Sequence, residues 1–98
     1  MEPKLLFKDD FENITSDMEI QTFESFDNGK IKYTFLKAFL KHNRPLWFIK
    51  LEAKDTTYYL WIDKKHFDRF RKLLNKGANR IFSQELLREI FFNPDSLP

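Results

Sequence analysis

The sequence predicts an α+β fold: an antiparallel four-stranded β-meander over about residues 18–62, followed by two helices over about 64–76 and 84–92. Three observations predict it. Asn28-Gly29 separates two segments with strand character. Two further segments, between turn residues, are rich in aromatic and β-branched side chains. After Asp63 the apolar period lengthens from two residues to between three and four, as expected for helices packed on a sheet.

The first two strands are predicted over 19–26 and 31–40, with Asn28-Gly29 supplying the positive-φ residues of a tight hairpin turn. Alternation in the second strand weakens after Phe35, which allows a β-bulge there. Pro45 ends the next turn because it disfavours a helical conformation in the residue before it. The third strand is then predicted over 46–53 and the fourth over 57–62.

Asp63 is a good N-cap for the first of the two helices, and Gly77 is a natural residue to end it. Ser83 is predicted to cap the second helix, which Asn93-Pro94 would stop. Residues 1–17 have weak periodicity and are predicted to be an acidic loop or short helical segment of the same domain.

Composition restricts the class of protein. With 98 residues, of which 42% are hydrophobic, the chain is expected to form a single domain, 1–98, with one core. The absence of cysteine excludes disulfides and thiolate zinc sites and favours a reducing, cytoplasmic (intracellular) compartment. No apolar run approaches the length of a membrane span, so no membrane association is expected.

The net charge of +2 conceals a strong asymmetry. Residues 1–29 contain eight acidic side chains and two lysines (−6), residues 30–80 contain fourteen Lys and Arg against four acidic side chains (+10), and residues 81–98 have a balance of −2. A basic middle segment between acidic ends favours a polyanionic partner. The alternative is that the acidic ends neutralise the basic segment within the fold.

Strand alternation places one set of aromatic and basic side chains on the sheet face opposite the first helix. We expect this face to bind single-stranded nucleic acid, because bases stack on flat rings and cations contact the phosphates. The predicted stacking residues are Phe48, Tyr59 and Trp61, and the predicted phosphate-contacting residues are Lys32, Arg44, Lys50, Lys64, Lys65 and Arg69. The alternative is that the last helix or a homodimer partner covers this face, because a fully exposed aromatic patch is unusual on a monomer.

The segments 46–51 and 58–63, followed directly by Lys64-Lys65-His66-Phe67, resemble the four-strands-then-helix unit of Pur-alpha-like repeats and of the single-stranded-DNA-binding whirly-type transcriptional coactivators. The resemblance implies binding of single-stranded nucleic acid through the sheet face, dimerisation and a role in transcription regulation.

Two other functions remain open. The same aromatic patch and the acidic N-terminal third would suit a protein-interaction module, such as a small regulator or inhibitor of a larger enzyme, encoded by a phage or mobile element. Glu52-x-Lys54 at a strand end has the spacing of metal-dependent nucleases, where the carboxylate binds Mg²⁺ and the lysine assists the attacking water; Asp27 or Asp9 would supply the second carboxylate. Salt bridging within the hairpin is the simpler interpretation of that motif. No cofactor, metal site or catalytic residue is otherwise expected, because His42 and His66 lack partners at ligand spacing.

Overall fold

The computed structural model describes residues 2–91, with side chains through 90. Five strands and three helices follow one another along the chain. They are β1 (Lys4–Phe7), α1 (Lys8–Ile14), β2 (Glu19–Asp27), β3 (Lys32–Phe39), β4 (Leu46–Glu52), β5 (Thr57–Ile62), α2 (Lys64–Asn75) and α3 (Asn79–Phe91).

The strands form one antiparallel sheet in the order β1-β5-β4-β3-β2. The predicted α+β class and meander are confirmed, but the sheet has five strands rather than four. The additional strand, β1, pairs with β5 and lies in the segment predicted to be loop or short helix. Its four residues, Lys-Leu-Leu-Phe, are too few to display a two-residue alternation, so the pairing with β5 rather than the local pattern defines the strand.

α2 and α3 cover one face of the sheet, here called the helix-pair face. Its core is formed by aromatic and aliphatic side chains from both helices and from β3, β4 and β5, with Leu5 from β1. The fully buried members include Phe35, Ile49, Phe67 and Phe82. As predicted from strand alternation, the odd-numbered residues of β3 and β4 face the helices.

α1 covers part of the opposite face, here called the α1 face. Phe11 is the buried residue of α1, and it packs with Leu6, Leu36 and Phe48 in a second apolar cluster. The Thr15 hydroxyl at the end of α1 donates a buried 2.7 Å hydrogen bond to the carbonyl oxygen of Phe11. The sheet therefore has apolar layers on both sides.

A β-bulge interrupts β2 between Thr22 and Ser25, opposite Phe35 of β3. The extra residue places Phe23 and Glu24 both on the helix-pair face, where Phe23 meets the Phe67 ring with centroids 5.6 Å apart. The bulge is in β2, whereas the sequence allowed it in β3, the strand that pairs with β2.

The turn between β2 and β3 differs from the predicted one in its backbone. Only Gly29 has positive φ (+91°), whereas Asn28 keeps negative φ and acts through its side chain. The Asn28 Oδ1 accepts hydrogen bonds from the amides of Lys30 and Ile31, at 2.9 and 2.8 Å. The hairpin itself is as predicted.

α2 begins and ends almost where predicted. The Asp63 carboxylate accepts a 2.8 Å hydrogen bond from the His66 amide, which confirms the N-cap, and Gly77 (φ +77°) follows the C-terminal residues of the helix. The amide of Ala78 donates to the Leu73 carbonyl oxygen at 2.9 Å, an arrangement that requires the left-handed residue before it.

α3 begins at Asn79, four residues before the predicted cap at Ser83. The earlier start places Phe82, Leu86 and Ile90 on one buried stripe at four-residue spacing, so burial of Phe82 offsets the lack of a strong capping residue. The Ser83 side chain instead hydrogen-bonds with the Tyr33 hydroxyl. The predicted stop at Asn93-Pro94 lies outside the described residues.

Within residues 2–91, no helix has both the length and the apolar character needed to cross a membrane.

Candidate nucleic-acid interface

Two of the three predicted stacking residues are covered by α1. Phe48 is 0% and Tyr59 is 7% exposed. The Phe11 ring stacks on Tyr59 with centroids 3.7 Å apart and planes 2° apart, and it meets Phe48 edge-on at 4.9 Å. In this arrangement Phe11 occupies the position on Tyr59 that a base would need, and neither ring has a free face.

The cover on this face comes from α1 and not from the last helix. The cover expected from the sequence was the last helix or a homodimer partner, whereas α3 packs on the helix-pair face. Trp61, the third predicted stacking residue, is half-buried in the α1-face cluster and lies beside Phe48 at 5.9 Å and a 33° tilt. The aromatic side chains of the α1 face are thus mainly packing groups.

Lys32 and Lys50 also lie on the α1 face, at the end that carries the two hairpin turns. Their cross-strand neighbours include carboxylates, since Lys32 is in register with both Asp27 and Glu52. The Lys50 Nζ lies 3.7 Å from the Glu52 carboxylate and 5.9 Å from the Tyr59 ring centroid. This ion pair joins two residues of β4, so it is not a salt bridge across the hairpin of the kind expected for the Glu52 motif, but it does give Glu52 a partner other than a metal ion.

Asp27, Glu52 and Lys54 of the nuclease hypothesis line one groove, whereas Asp9, the alternative second carboxylate, lies in α1 and does not line it. Lys32 stands between Asp27 and Glu52 in the cross-strand register, and its positive charge disfavours a metal ion shared by the two carboxylates. Among residues 2–91 no group of three or more His, Cys, Asp or Glu side chains is placed to hold a metal ion.

Two of the predicted phosphate-contacting residues on α2 already have acidic partners. The Lys64 Nζ lies 3.0 Å from the Asp68 carboxylate, and the Arg69 guanidinium donates to Glu85 of α3 at 2.9 Å. Lys65 is exposed and makes no ion pair with the described residues. Lys65 is therefore the predicted cation on α2 that is most accessible to a ligand.

A different aromatic side chain combines exposure with nearby cations. Trp47 is half-buried at the start of β4, beside the N-terminus of α2. The Lys37 Nζ and the Lys64 Nζ lie 5.7 and 5.9 Å from its ring centroid, and the Lys37 Nζ lies 5.2 Å from the ring of half-buried Phe39. These four residues are called the Trp47 patch.

Arg44 and Lys65 border the Trp47 patch at the same end of the sheet, Arg44 from the β3–β4 loop and Lys65 from the first turn of α2. Arg44 belongs to the exposed β3–β4 connection, in which the Asn43 amide donates to the Leu40 carbonyl oxygen at 3.1 Å and His42 has positive φ (73°). Lys65 follows the β5–α2 junction, and Ile62 at the end of β5 is in register with Trp47. Arg44, Lys64 and Lys65 were predicted site residues; Lys37, Phe39 and Trp47 were not.

Trp47 alternates with the outward-facing residues of β4, a pattern typical of a core residue, and its ring packs on Phe67 with centroids 4.8 Å apart. The signal in the sequence that the Trp47 ring could be accessible was its position at the end of a strand. α2 begins at Lys64, two residues after the strand position that pairs with Trp47, so the helix covers only part of the ring.

The structure thus divides the predicted site. Lys32 and Lys50 lie at the hairpin-turn end on the α1 face, whereas Arg44, Lys64 and Lys65 lie at the other end. Because Trp47 and Glu52 are five residues apart on β4, the two groups are separated by about 17 Å along the strand. Comparisons with protein-family models, curated proteins and solved structures give no match.

Two carboxyl groups near α2 have altered titration. The hydrogen bonds from Arg71, both 2.8 Å, lower the pKa of Glu24. Burial alone would raise the pKa of Asp63, but hydrogen bonds from the amide and ring of His66 outweigh it and lower that pKa. Glu24 and Asp63 both hold α2 in place. They therefore help to position the Trp47 patch but are not part of it.

Proposed function

We propose that this chain is a small nucleic-acid-binding module that prefers single strands and binds them at the Trp47 patch. The observation that carries the proposal is the half-buried Trp47 ring with two ammonium groups within 6 Å of its centroid. A base stacks on such a ring while the adjacent lysines contact the flanking phosphates. Single strands are preferred because their bases are free to stack on a protein ring.

The surroundings of the patch extend the same chemistry. Exposed Arg44 and Lys65 make no ion pair with any described residue, so binding a phosphate does not require them to leave an acidic partner. Lys64 would have to exchange Asp68 for a phosphate, which is a small cost for an exposed ion pair.

The first experiment measures binding of labelled single-stranded and double-stranded oligonucleotides by fluorescence anisotropy at several salt concentrations. Neutralising one cation of the patch and one that borders it, in the double variant Lys37→Gln and Lys65→Gln, is expected to reduce the slope of log K against log salt by about 1.4 if both contact phosphates of a single strand. The matched control is Lys72→Gln with Lys76→Gln, which removes the same charge from the other end of α2. An equal loss of affinity in both double variants would contradict a local site.

A second measurement reports on stacking. The chain has two tryptophans, so Trp61→Phe leaves Trp47 as the only one. Its fluorescence is expected to be quenched when a single strand binds. An anisotropy increase without quenching would place the contact elsewhere on the protein.

A protein-interaction module is the second candidate, and one observation favours it. β2 is an edge strand of nine residues, and its Ile20 side chain is 46% exposed. Such an edge can accept a strand from another protein. Ile20→Lys should abolish capture of a protein partner through this edge without altering oligonucleotide binding, and a concentration-dependent molar mass would reveal a homodimer instead.

A further inference from the structure

A groove separates the two hairpin turns at the end of the sheet remote from the Trp47 patch. It has a volume of about 560 Å³ and is open to solvent. The β2–β3 turn forms one wall and the β4–β5 turn, closed by a 2.9 Å hydrogen bond from the Ala53 amide to the Thr56 carbonyl oxygen, forms the other. Its lining residues are Asp27, Gly29, Lys30, Lys32, Glu52, Ala53 and Lys54.

The two carboxylates of the groove already have partners. The Asp27 Oδ1 accepts a 2.8 Å hydrogen bond from the Gly29 amide, which fixes the side chain against its own turn. Glu52 forms its ion pair with Lys50, 3.7 Å away. These acidic groups therefore shape the groove and leave its lysines without a contacting counter-charge.

The three lysines of the groove, Lys30, Lys32 and Lys54, are exposed and form no ion pair with any residue between 2 and 91. They come from three places, the first turn, β3 and the second turn, so their ammonium groups can surround one ligand. With Lys50 and with Asp55 of the β4–β5 turn included, four cations face three carboxylates in this region, which leaves a local charge of +1.

We propose that this groove is a binding site for a multiply charged phosphate anion, either inorganic polyphosphate or the polyphosphate group of a nucleotide. Lysine binds phosphate as a mobile point charge, and several lysines on different elements suit a ligand with several charged oxygens. The volume is in the range of small-molecule sites. Because no aromatic ring of residues 2–90 lines the groove, this part of the chain offers nothing there on which a base could stack, and recognition by it is confined to the phosphate groups.

This site is separate from the proposed nucleic-acid interface. The groove lies about 17 Å along β4 from Trp47, and its floor residues Lys32 and Glu52 are on the α1 face, whereas Trp47 faces the helices. A ligand of tripolyphosphate size is too short to reach both, so either proposal can fail without the other.

The test is titration of the intact protein with inorganic tripolyphosphate at low salt, followed by calorimetry and by amide chemical shifts. The double variant Lys32→Gln and Lys54→Gln is expected to weaken binding about tenfold or more. A matched double variant, Lys4→Gln with Lys41→Gln, removes the same charge at the opposite end of the sheet and should change affinity less than about twofold. All four side chains are exposed, so folding is expected to be retained and is checked from the amide spectrum.

Parallel titrations identify the ligand group. A nucleoside triphosphate should bind as tightly as tripolyphosphate and shift the amides around Gly29 and Lys54, and the unphosphorylated nucleoside should not bind. The proposal is overturned by equal weakening in both double variants, by no saturable binding, or by binding that requires Mg²⁺, which would indicate a metal held by Asp27 and Glu52.

Discussion

Replacing Phe11 with alanine tests whether α1 is a structural cover. Phe11 is 7% exposed and is the buried residue of a seven-residue helix, and it contacts both Tyr59 and Phe48. Burial of this type makes Phe→Ala cost about 3–5 kcal/mol, from the lost transfer free energy and the cavity left behind. We expect about 3 kcal/mol, because a short surface helix can partly settle into the space.

The measurement is urea unfolding followed by tryptophan fluorescence, together with thermal unfolding. For a domain of this size, a loss of 3 kcal/mol corresponds to a fall in Tm of about 12–24 °C. Phe7→Ala is the matched control, because it removes the same atoms from the same segment but at a site that is 45% exposed. Its expected cost is about 1 kcal/mol.

Two outcomes would refute this reasoning. If Phe11→Ala costs no more than Phe7→Ala, α1 is not anchored by its phenylalanine. If Phe11→Ala instead raises affinity for single-stranded oligonucleotides tenfold or more, uncovering Tyr59 creates the better site, and the binding surface is the α1 face rather than the Trp47 patch. Unchanged affinity in a folded variant is the expected result.

Three further predictions concern the attachment of the helices. Because the pKa of Glu24 is lowered in the folded protein, its ion pair with Arg71 stabilises the fold above about pH 4.5, and this stabilisation is lost as the pH falls through the lowered pKa. The difference in unfolding free energy between the wild type and Glu24→Gln should therefore become smaller in acid. Tyr33→Phe removes a hydroxyl that hydrogen-bonds with Asn28 and Ser83 and should cost about 1 kcal/mol by urea unfolding, so no measurable loss would contradict those bonds. Asp63→Ala should cost about 1 kcal/mol by loss of the N-cap, whereas Asp63→Asn, which can still accept from the amide, should cost less.

The sequence predicted those parts of the fold that depend on local signals. Asn28-Gly29 located the hairpin, alternation placed the residues of β3 and β4 on their correct faces, and Asp63 located the start of α2. Each signal lies within a few residues of the feature it predicts. The start of α3 was misplaced because a strong capping residue, Ser83, competed with burial of Phe82, and burial is decided by distant residues.

The candidate site could be predicted only in part, for a related reason. Tyr59 and Trp61 point away from the helix pair, as expected from alternation in β5. However, β1 and α1 bring Phe11 over them, and no pattern within β5 predicts that packing. Accessibility of Trp47 likewise depends on where α2 begins relative to the end of β4. Which face a residue occupies is a property of its own strand, whereas whether that face is open depends on the other layers.

Charge segregation in the sequence survives folding in part, and this bears on both proposals. An ion pair of 2.8 Å between Glu24 and Arg71 joins the acidic segment 1–29 to the basic segment 30–80. Other ion pairs of the basic segment are internal or reach α3, as in Arg69 with Glu85. The interpretation that the acidic ends neutralise the basic middle therefore accounts for part of the observed pairing, through Glu24 at one end and Glu85 and Glu89 at the other. Lysines and arginines without a contacting carboxylate remain at both ends of the sheet. A polyanion could therefore bind these residues at either end without first breaking an internal ion-pair network. The affinity of the protein for such a polyanion should depend strongly on salt concentration.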